Sequence, residues 1–233
     1  LVPQPFKNLK PFGVLNKEII STAIPTLNLQ DTASRALELM NEFHVSELPV
    51  VENDLYQGLV FENDLTDMDD DQQLLQSIVD HFSKVTVHAH THFIEAIQAA
   101  NEYHLSVVPV TEKDGEYVGV ISAVDLLLQL GRLTGASEPG AVIVLEMEQR
   151  SFSFSEISKL VETNDAQITQ LNTYWDNSTD TFFVTLKINK FEISDIIATF
   201  QRYDYQIKYF FGEELYENEL RSNYDHLMNY LNI

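Results

Sequence analysis

Apolar positions along this chain fall twice into the same succession of spacings, first between Asn28 and Leu65 and again between His88 and Leu126. In the first stretch Leu37, Met40 and Phe43 recur every third residue, as do Ile97, Ala100 and Tyr103 in the second, which predicts one helix in each. Thr32 or Asp31 is placed to cap the first of these helices. Short β-type runs follow, LPVV then GLVF, and VPVT then GVIS. The turns between the runs contain Asn53-Asp54 and Asp114-Gly115, so each pair predicts a hairpin. A strand near Thr26–Leu29 or Thr86–Ala89 opens each stretch, and a short helix beginning near Asp64 or Asp125 closes it.

The two stretches match residue by residue. Ala36 registers with Ala96, Asn41 with Asn101, Glu42 with Glu102, His44 with His104, Ser46 with Ser106, Pro49 with Pro109 and Val50 with Val110. After one insertion near Gly115, Tyr56 registers with Tyr117, Gly58 with Gly119 and Asp64 with Asp125. A register held this long marks an internal repeat. One unit of strand, helix, strand, strand, helix leaves an apolar sheet face open, and two packed together bury it, so the pair is expected to form one pseudo-symmetric domain.

Beyond a Gly- and Pro-bearing linker from Gly131 to Gly140 the pattern changes. AVIVLEM is strand-like, SFSEISKLVETND helical, AQITQLNTYW and TFFVTLKIN a strand pair, EISDIIATFQRYDY helical and QIKYFF strand-like. That order, βαββαβ, predicts a ferredoxin-like plait with Ile157, Leu160 and Val161 on one inward helix face and Ile196, Ile197 and Phe200 on the other. Leu220, Tyr224, Leu227, Met228 and Leu231 form a helical stripe near the end, expected to pack on its own domain or on a partner subunit.

Composition narrows the function classes. With 233 residues and 44% hydrophobic content, the chain can bury two small cores. Cysteine is absent, which excludes disulfides, thiolate zinc sites and cysteine nucleophiles and points to a reducing compartment, the cytoplasm. No apolar run approaches the roughly 20 residues of a membrane span. The formal charge of −22 repels phosphate backbones and anionic lipid, so neither nucleic acid nor membrane is an expected partner. Small anions remain compatible with that charge, because local backbone N–H groups outweigh a screened distant field.

The segments VSELPV (45–50) and LSVVPV (105–110), each followed by a Gly-x-x-x-x-x-Asp segment, carry a family resemblance. The chain resembles a tandem pair of CBS domains, a Bateman module, over Lys17 to Leu133. That resemblance implies an adenine-nucleotide cleft, in which the Asp accepts from ribose hydroxyls and the Ser or Thr contacts phosphate. Gly119-Val-Ile-Ser122-Ala-Val-Asp125 fits the pattern completely, so Ser122 and Asp125 are the leading site residues, with Val87 and Val120 placed to pack on adenine. In the first copy Phe61 stands where the hydroxyl belongs, which leaves Asp64 as the less complete match and leaves open one, two or no competent sites. Phe61 either stacks on a base or plugs the pocket. Asp64 and Asp125 also have a purely structural use, as caps of the closing helices.

The plait, over Ala141 to Gly212, resembles an ACT domain. Its loop Glu148–Ser153 lacks the glycine of amino-acid-binding members, which favours a dimer-forming role. A CBS pair followed by an ACT-like domain is similar to the bacterial acetoin-utilisation regulatory protein family. The expected organisation is an N-terminal arm (1–16), CBS repeats at 17–71 and 72–133, a linker (134–140), an ACT-like domain (141–212) and a C-terminal helix (213–233), an α+β chain throughout.

The function expected from this reading is that of a non-catalytic, cytoplasmic, homodimeric sensor. Its ligand would be AMP, ADP, ATP or S-adenosylmethionine, and its output would act on a partner protein. The alternatives are a structural dimerisation or adaptor protein with degenerate sites and, from a third class, an enzyme without a recognisable motif. No P-loop, G-x-S-x-G, H-E-x-x-H or G-x-G-x-x-G sequence occurs, so no catalytic residue is assigned. No metal site is assigned either. His88, His90 and His92 run from a strand into a helix start, which spoils a common face. Asp67, Asp69, Asp70 and Asp71 lack the Gly and terminal Glu of a calcium loop and read as a solvated linker. His44 and His104 are expected to pack at the ends of their helices.

Overall fold

The computed structural model describes residues 13–21, 23–66, 70 and 72–212. Two compact units divide the chain, one ending at Leu133 and the other beginning at Thr134.

In the first unit, α1 (Ala33–Phe43) leads into the hairpin β1 (Glu47–Glu52) and β2 (Leu55–Phe61), closed by α2 (Glu62–Thr66). The second copy runs β3 (Val87–His88), α3 (Ile94–Tyr103), β4 (Val107–Thr111), β5 (Tyr117–Ser122) and α4 (Ala123–Leu133). The opening strand expected near Thr26–Leu29 shrinks to a single parallel bridge, Leu27 to Val50, whereas its twin is the strand β3 beside β4. Thr32 is the residue that caps α1, its side chain accepting from Arg35 N at 3.2 Å.

Each helix turns a smaller face to its sheet than the every-third-residue pattern suggests. Ala33, Ala36, Leu39 and Met40 are the buried residues of α1, and Ala96 and Ala99 those of α3, while Tyr103 is 48% exposed. Alanines at the contact let the helix axis approach the strands, and larger neighbours such as Leu37, Phe43 and Ile97 pack beside it. His44 and His104 are not part of either core. Both are exposed and end their helices in the left-handed region, with φ of 55° and 54°.

The hairpins repeat each other down to their irregularities. Asn53 and Asp54 both have positive φ, as a two-residue turn of the primed type requires. A bulge falls between Val50 and Val51 in one copy and between Val110 and Thr111 in the other, opposite Gly58 and Gly119. Those two glycines, at φ 139° and 157°, leave room for the segment that leads into the other repeat. A Cβ on Gly58 would lie 2.9 Å from Ser83 O, and one on Gly119 would lie 3.2 Å from the Ile20 side chain. The leaders cross accordingly: Ser21 N donates to Val120 O, and Leu59 and Ser83 exchange both backbone bonds. The hairpin tips also interlock, with Tyr56 N donating to Gly115 O and Tyr117 N to Asp54 O. Asn16, placed by sequence in the N-terminal arm, is fully buried, and its Nδ2 donates to His88 O at 2.9 Å.

The second unit comprises β6 (Ala141–Met147), α5 (Phe154–Glu162), β7 (Ile168–Asp176), β8 (Thr181–Ile188), α6 (Ser194–Arg202) and β9 (Gln206–Phe211). Its sheet is antiparallel throughout in the order β7-β8-β6-β9, the ferredoxin-like plait expected from the βαββαβ succession. Alternation along β8 (TFFVTLKI) buries Phe182, Val184, Leu186 and Ile188 against Ile157, Leu160, Val161, Ile196 and Phe200. The helical stripe expected at 220–231 lies outside the described residues. No helix among the described residues is long and apolar enough to cross a membrane.

Candidate functional site

The Ser-Val-Val-Pro and Gly-Val-Ile-Ser segments pair as β4 and β5, and one further backbone bond closes their end, in which Ala123 N, at the start of α4, donates to Ser106 O at 2.8 Å. The first copy repeats the bond between Glu62 N and Ser46 O at 2.9 Å. Each closing helix therefore starts against the serine that opens the middle strand of its own repeat.

At the head of α4, Asp125 N donates to Ser122 Oγ at 3.0 Å and Ser122 Oγ donates to Asp125 Oδ2 at 2.8 Å. The cap of this helix is thus Ser122, and Asp125 is the residue three positions on that orients its hydroxyl, so the capping role expected of Asp125 passes to the serine. Both side chains are half-buried, and Asp125 retains a second carboxylate oxygen. Such a carboxylate, acceptor-only when ionised, suits a vicinal diol.

Val120 lies two residues before Ser122 on β5. Val87 lies on β3, with β4 running between the two strands. Both are buried in the core of the second repeat, at 0% and 8% exposure. Asp64 is half-buried on α2. Phe61 is half-buried and packs against the core of the second repeat. Among the expected residues, Ser122 and Asp125 are thus hydrogen-bonded to each other, and Asp64 belongs to the opposite repeat.

Sequence reasoning missed Glu47. It is fully buried at the start of β1, where it faces Phe61 in the ladder, and its equivalent in the second repeat is Val107, which faces Ser122. Its Oε1 accepts from Ser106 N at 2.6 Å, Val107 N at 2.7 Å and Ser106 Oγ at 3.0 Å. Ser106 Oγ also accepts from Ser46 N at 3.0 Å, so the two serine turns meet at this carboxylate. Burial pushes the Glu47 carboxyl above its ordinary value, and the bonds from Val107 and Ser106 offset part of that shift. The signal in the sequence was a charge at a position whose twin in the repeat is apolar.

The histidines diverge. His90 pairs with Glu112 at 3.2 Å, His92 stacks on Phe93 at a centroid separation of 4.7 Å, and His88 Nε2 is buried. Among the described residues no group of three His, Asp, Glu or Cys is arranged to hold a metal. Of the aspartates at 67–71, only Asp70 is described, and it closes a turn by accepting from Gln72 N at 2.9 Å. A concavity of about 690 Å³ lies between Lys84–Thr86 and α3, and neither Ser122 nor Asp125 lines it. In the second unit a concavity of about 520 Å³ separates α5 from α6. The loop Glu148–Ser153 there winds into a single tight turn, and Ser153 caps α5.

The CBS domain model matches residues 17–70 and 79–132, so the first unit is a tandem CBS pair. A CBS domain-containing protein of Dictyostelium discoideum is 28% identical over 129 residues, 49% of this chain and 89% of that protein. A CBS domain pair/ACT domain protein from Thermotoga maritima aligns at 20% identity over 51% of this chain and 98% of its own, with a TM-score of 0.47. An acetoin utilization protein (AcuB) from Vibrio cholerae aligns at 22% over 54% and 98%, with a TM-score of 0.45. The CBSX2 structure in complex with AMP aligns at 20% over 52% and 98%, with a TM-score of 0.42.

Proposed function

We propose that this tandem CBS pair, followed by a ferredoxin-like plait of ACT type, is a non-catalytic cytoplasmic regulator whose second repeat binds an adenosine-bearing metabolite. The observation that carries the reading is the Ser122–Asp125 couple at the junction of β5 and α4. A half-buried carboxylate held in place by its own helix cap offers a preorganised acceptor for ribose hydroxyls. Its first-repeat counterpart, with Phe61 in place of the serine, has no hydroxyl to hold Asp64 in the same way. One competent site per chain follows.

A second copy of the chain is the partner that best suits α4. Val124 and Leu127 are each 69% exposed and Leu128 is 42% exposed, an i, i+3, i+4 stripe free of charge on a molecule of net charge −22. Two-fold pairing covers the same stripe on both copies at once. Regulation then requires the metabolite to bind one arrangement of the dimer better than another.

The test is a thermal-shift panel of AMP, ADP, ATP, S-adenosylmethionine and NAD on the full chain and on Asp125→Ala. A saturable rise with one adenosyl compound, lost in Asp125→Ala and kept in Asp64→Ala, supports the reading. A flat panel, with a dimer of unchanged mass with or without nucleotide, transfers support to a structural adaptor.

A further inference from the structure

The junction between the two repeats holds a carboxylate where a ligand anion would otherwise be received. Ser106 N, Ser106 Oγ and Val107 N converge on one point, an arrangement of backbone and hydroxyl donors that accepts a negatively charged oxygen. Glu47 Oε1 fills that point from the opposite repeat. Its second oxygen, Oε2, is buried and has no hydrogen-bond partner among the described residues, so the charge is spread over no cation and no water-exposed edge.

This donor set adjoins the proposed ligand position. Val107 is the ladder partner of Ser122, and Ser106 O receives the first N–H of α4. Adjacent strands lie roughly 5 Å apart, about the span from a ribose to the group carried on its 5′ carbon. A ligand whose diol meets Asp125 would carry its 5′ substituent beside the Ser122 hydroxyl, at the edge of the junction that Glu47 fills. A phosphate there would lie near the negative charge of both Glu47 and Asp125, and the three donors suited to neutralise it are already engaged.

We propose that Glu47 is a built-in anion that fills the junction's donor set and thereby selects adenosyl ligands with a neutral or cationic 5′ arm, such as a nucleoside or a sulfonium, over phosphorylated ones. This selectivity rests on the adenosyl reading above, while the filling of the donor set stands apart from it. The residue positions no reaction and acts only on which ligand fits.

Two measurements on the full chain separate these parts. Calorimetric titration with adenosine, S-adenosylmethionine and AMP is expected to show the unphosphorylated compounds bound at least about tenfold more tightly than AMP by the wild type, since like charges at close range are strongly disfavoured. Glu47→Gln keeps an oxygen on the donors, removes the charge and should collapse that preference. Equal or tighter binding of AMP by the wild type, or a ratio that Glu47→Gln leaves untouched, overturns the selectivity. In parallel, Glu47→Ala is heated with acetate, against chloride at equal ionic strength. The carboxylate of acetate replaces the deleted group, so a saturable rise of a few degrees is expected in Glu47→Ala and absent from the wild type and Glu47→Gln. No such rise in a folded Glu47→Ala overturns the filled donor set. If Glu47→Ala does not fold, the Glu47→Gln titration decides the proposal. If no adenosyl compound binds any variant while acetate still rescues Glu47→Ala, the adenosyl reading falls and the built-in anion stands.

Discussion

The two CBS repeats share the path of their hairpins and differ sharply at one cross-strand pair. Where the first has Glu47 facing Phe61, the second has Val107 facing Ser122, so the polar and apolar members have changed strands. Around that pair the copies coincide: left-handed His44 and His104, the bulge after Val50 and Val110, the glycines opposite it, and the helix-starting bonds to Ser46 O and Ser106 O. Positions at which the chain path itself demands a residue type are the same in both copies. Positions that only face the junction have diverged, and their divergence gives one scaffold a self-capped carboxylate on one side and a buried, bridging carboxylate on the other.

The largest effect expected from disturbing this likeness is at the glycines. Gly58→Ala should lose about 3 kcal/mol, because its Cβ meets the Ser83 carbonyl in a conformation L side chains resist. Gly119→Ala should lose less, about 1 kcal/mol, since its nearest neighbour is the Ile20 side chain at 3.2 Å rather than a backbone carbonyl at 2.9 Å. Urea unfolding followed by a signal of the first unit ranks the two, and equal losses would show that the crossing leaders are equally tight.

The next effect isolates Glu47 through pH. Its carboxyl is raised on folding, so the native state keeps the proton to higher pH than the unfolded chain. The stability it contributes is complete in acid and is lost as pH climbs from the ordinary value of 4.5 through the raised one. Glu47→Gln removes this loss. The stability of the variant relative to the wild type should rise across that window with a slope of at most about 1.4 kcal/mol per pH unit. Parallel pH curves would mean that the three donors fully offset the burial.

Ser122→Ala should cost about 1 kcal/mol through loss of the α4 cap. It should also lower the affinity for any ligand that Asp125 holds, because the carboxylate loses the hydroxyl that orients it. The smallest effect is expected at His90→Ala, within about 0.5 kcal/mol of the wild type in thermal unfolding, since its Glu112 partner is reached across an exposed surface.

Much of the fold was legible because its signals are local. Thr32 before an apolar-periodic run, two turn-forming dipeptides, and the alternation of TFFVTLKI each act within a few residues and appear in the structure as a cap, two hairpins and a half-buried strand. The helix faces were read only in part: Met40 is buried and Leu37, Phe43 and Ile97 pack beside the cores, but the every-third-residue pattern favours the large side chains and missed Ala36 and Ala96, which let helix and sheet come close. In the candidate site, Ser122 and Asp125 were readable from a motif that is itself a helix start.

Glu47 could not be read as a site residue from its own segment, VSELPV, because a glutamate in a short strand is ordinarily solvated. The contact that buries it comes from Ser106 and Val107, some sixty residues away and across the pseudo-symmetric junction. Sequence alone therefore determines the repeat, its turns and its caps, each set by the torsional and hydrogen-bonding preferences of neighbouring residues. Only the tertiary structure, by bringing two serine turns together over Glu47, decides that this one carboxylate is buried and which donors it holds.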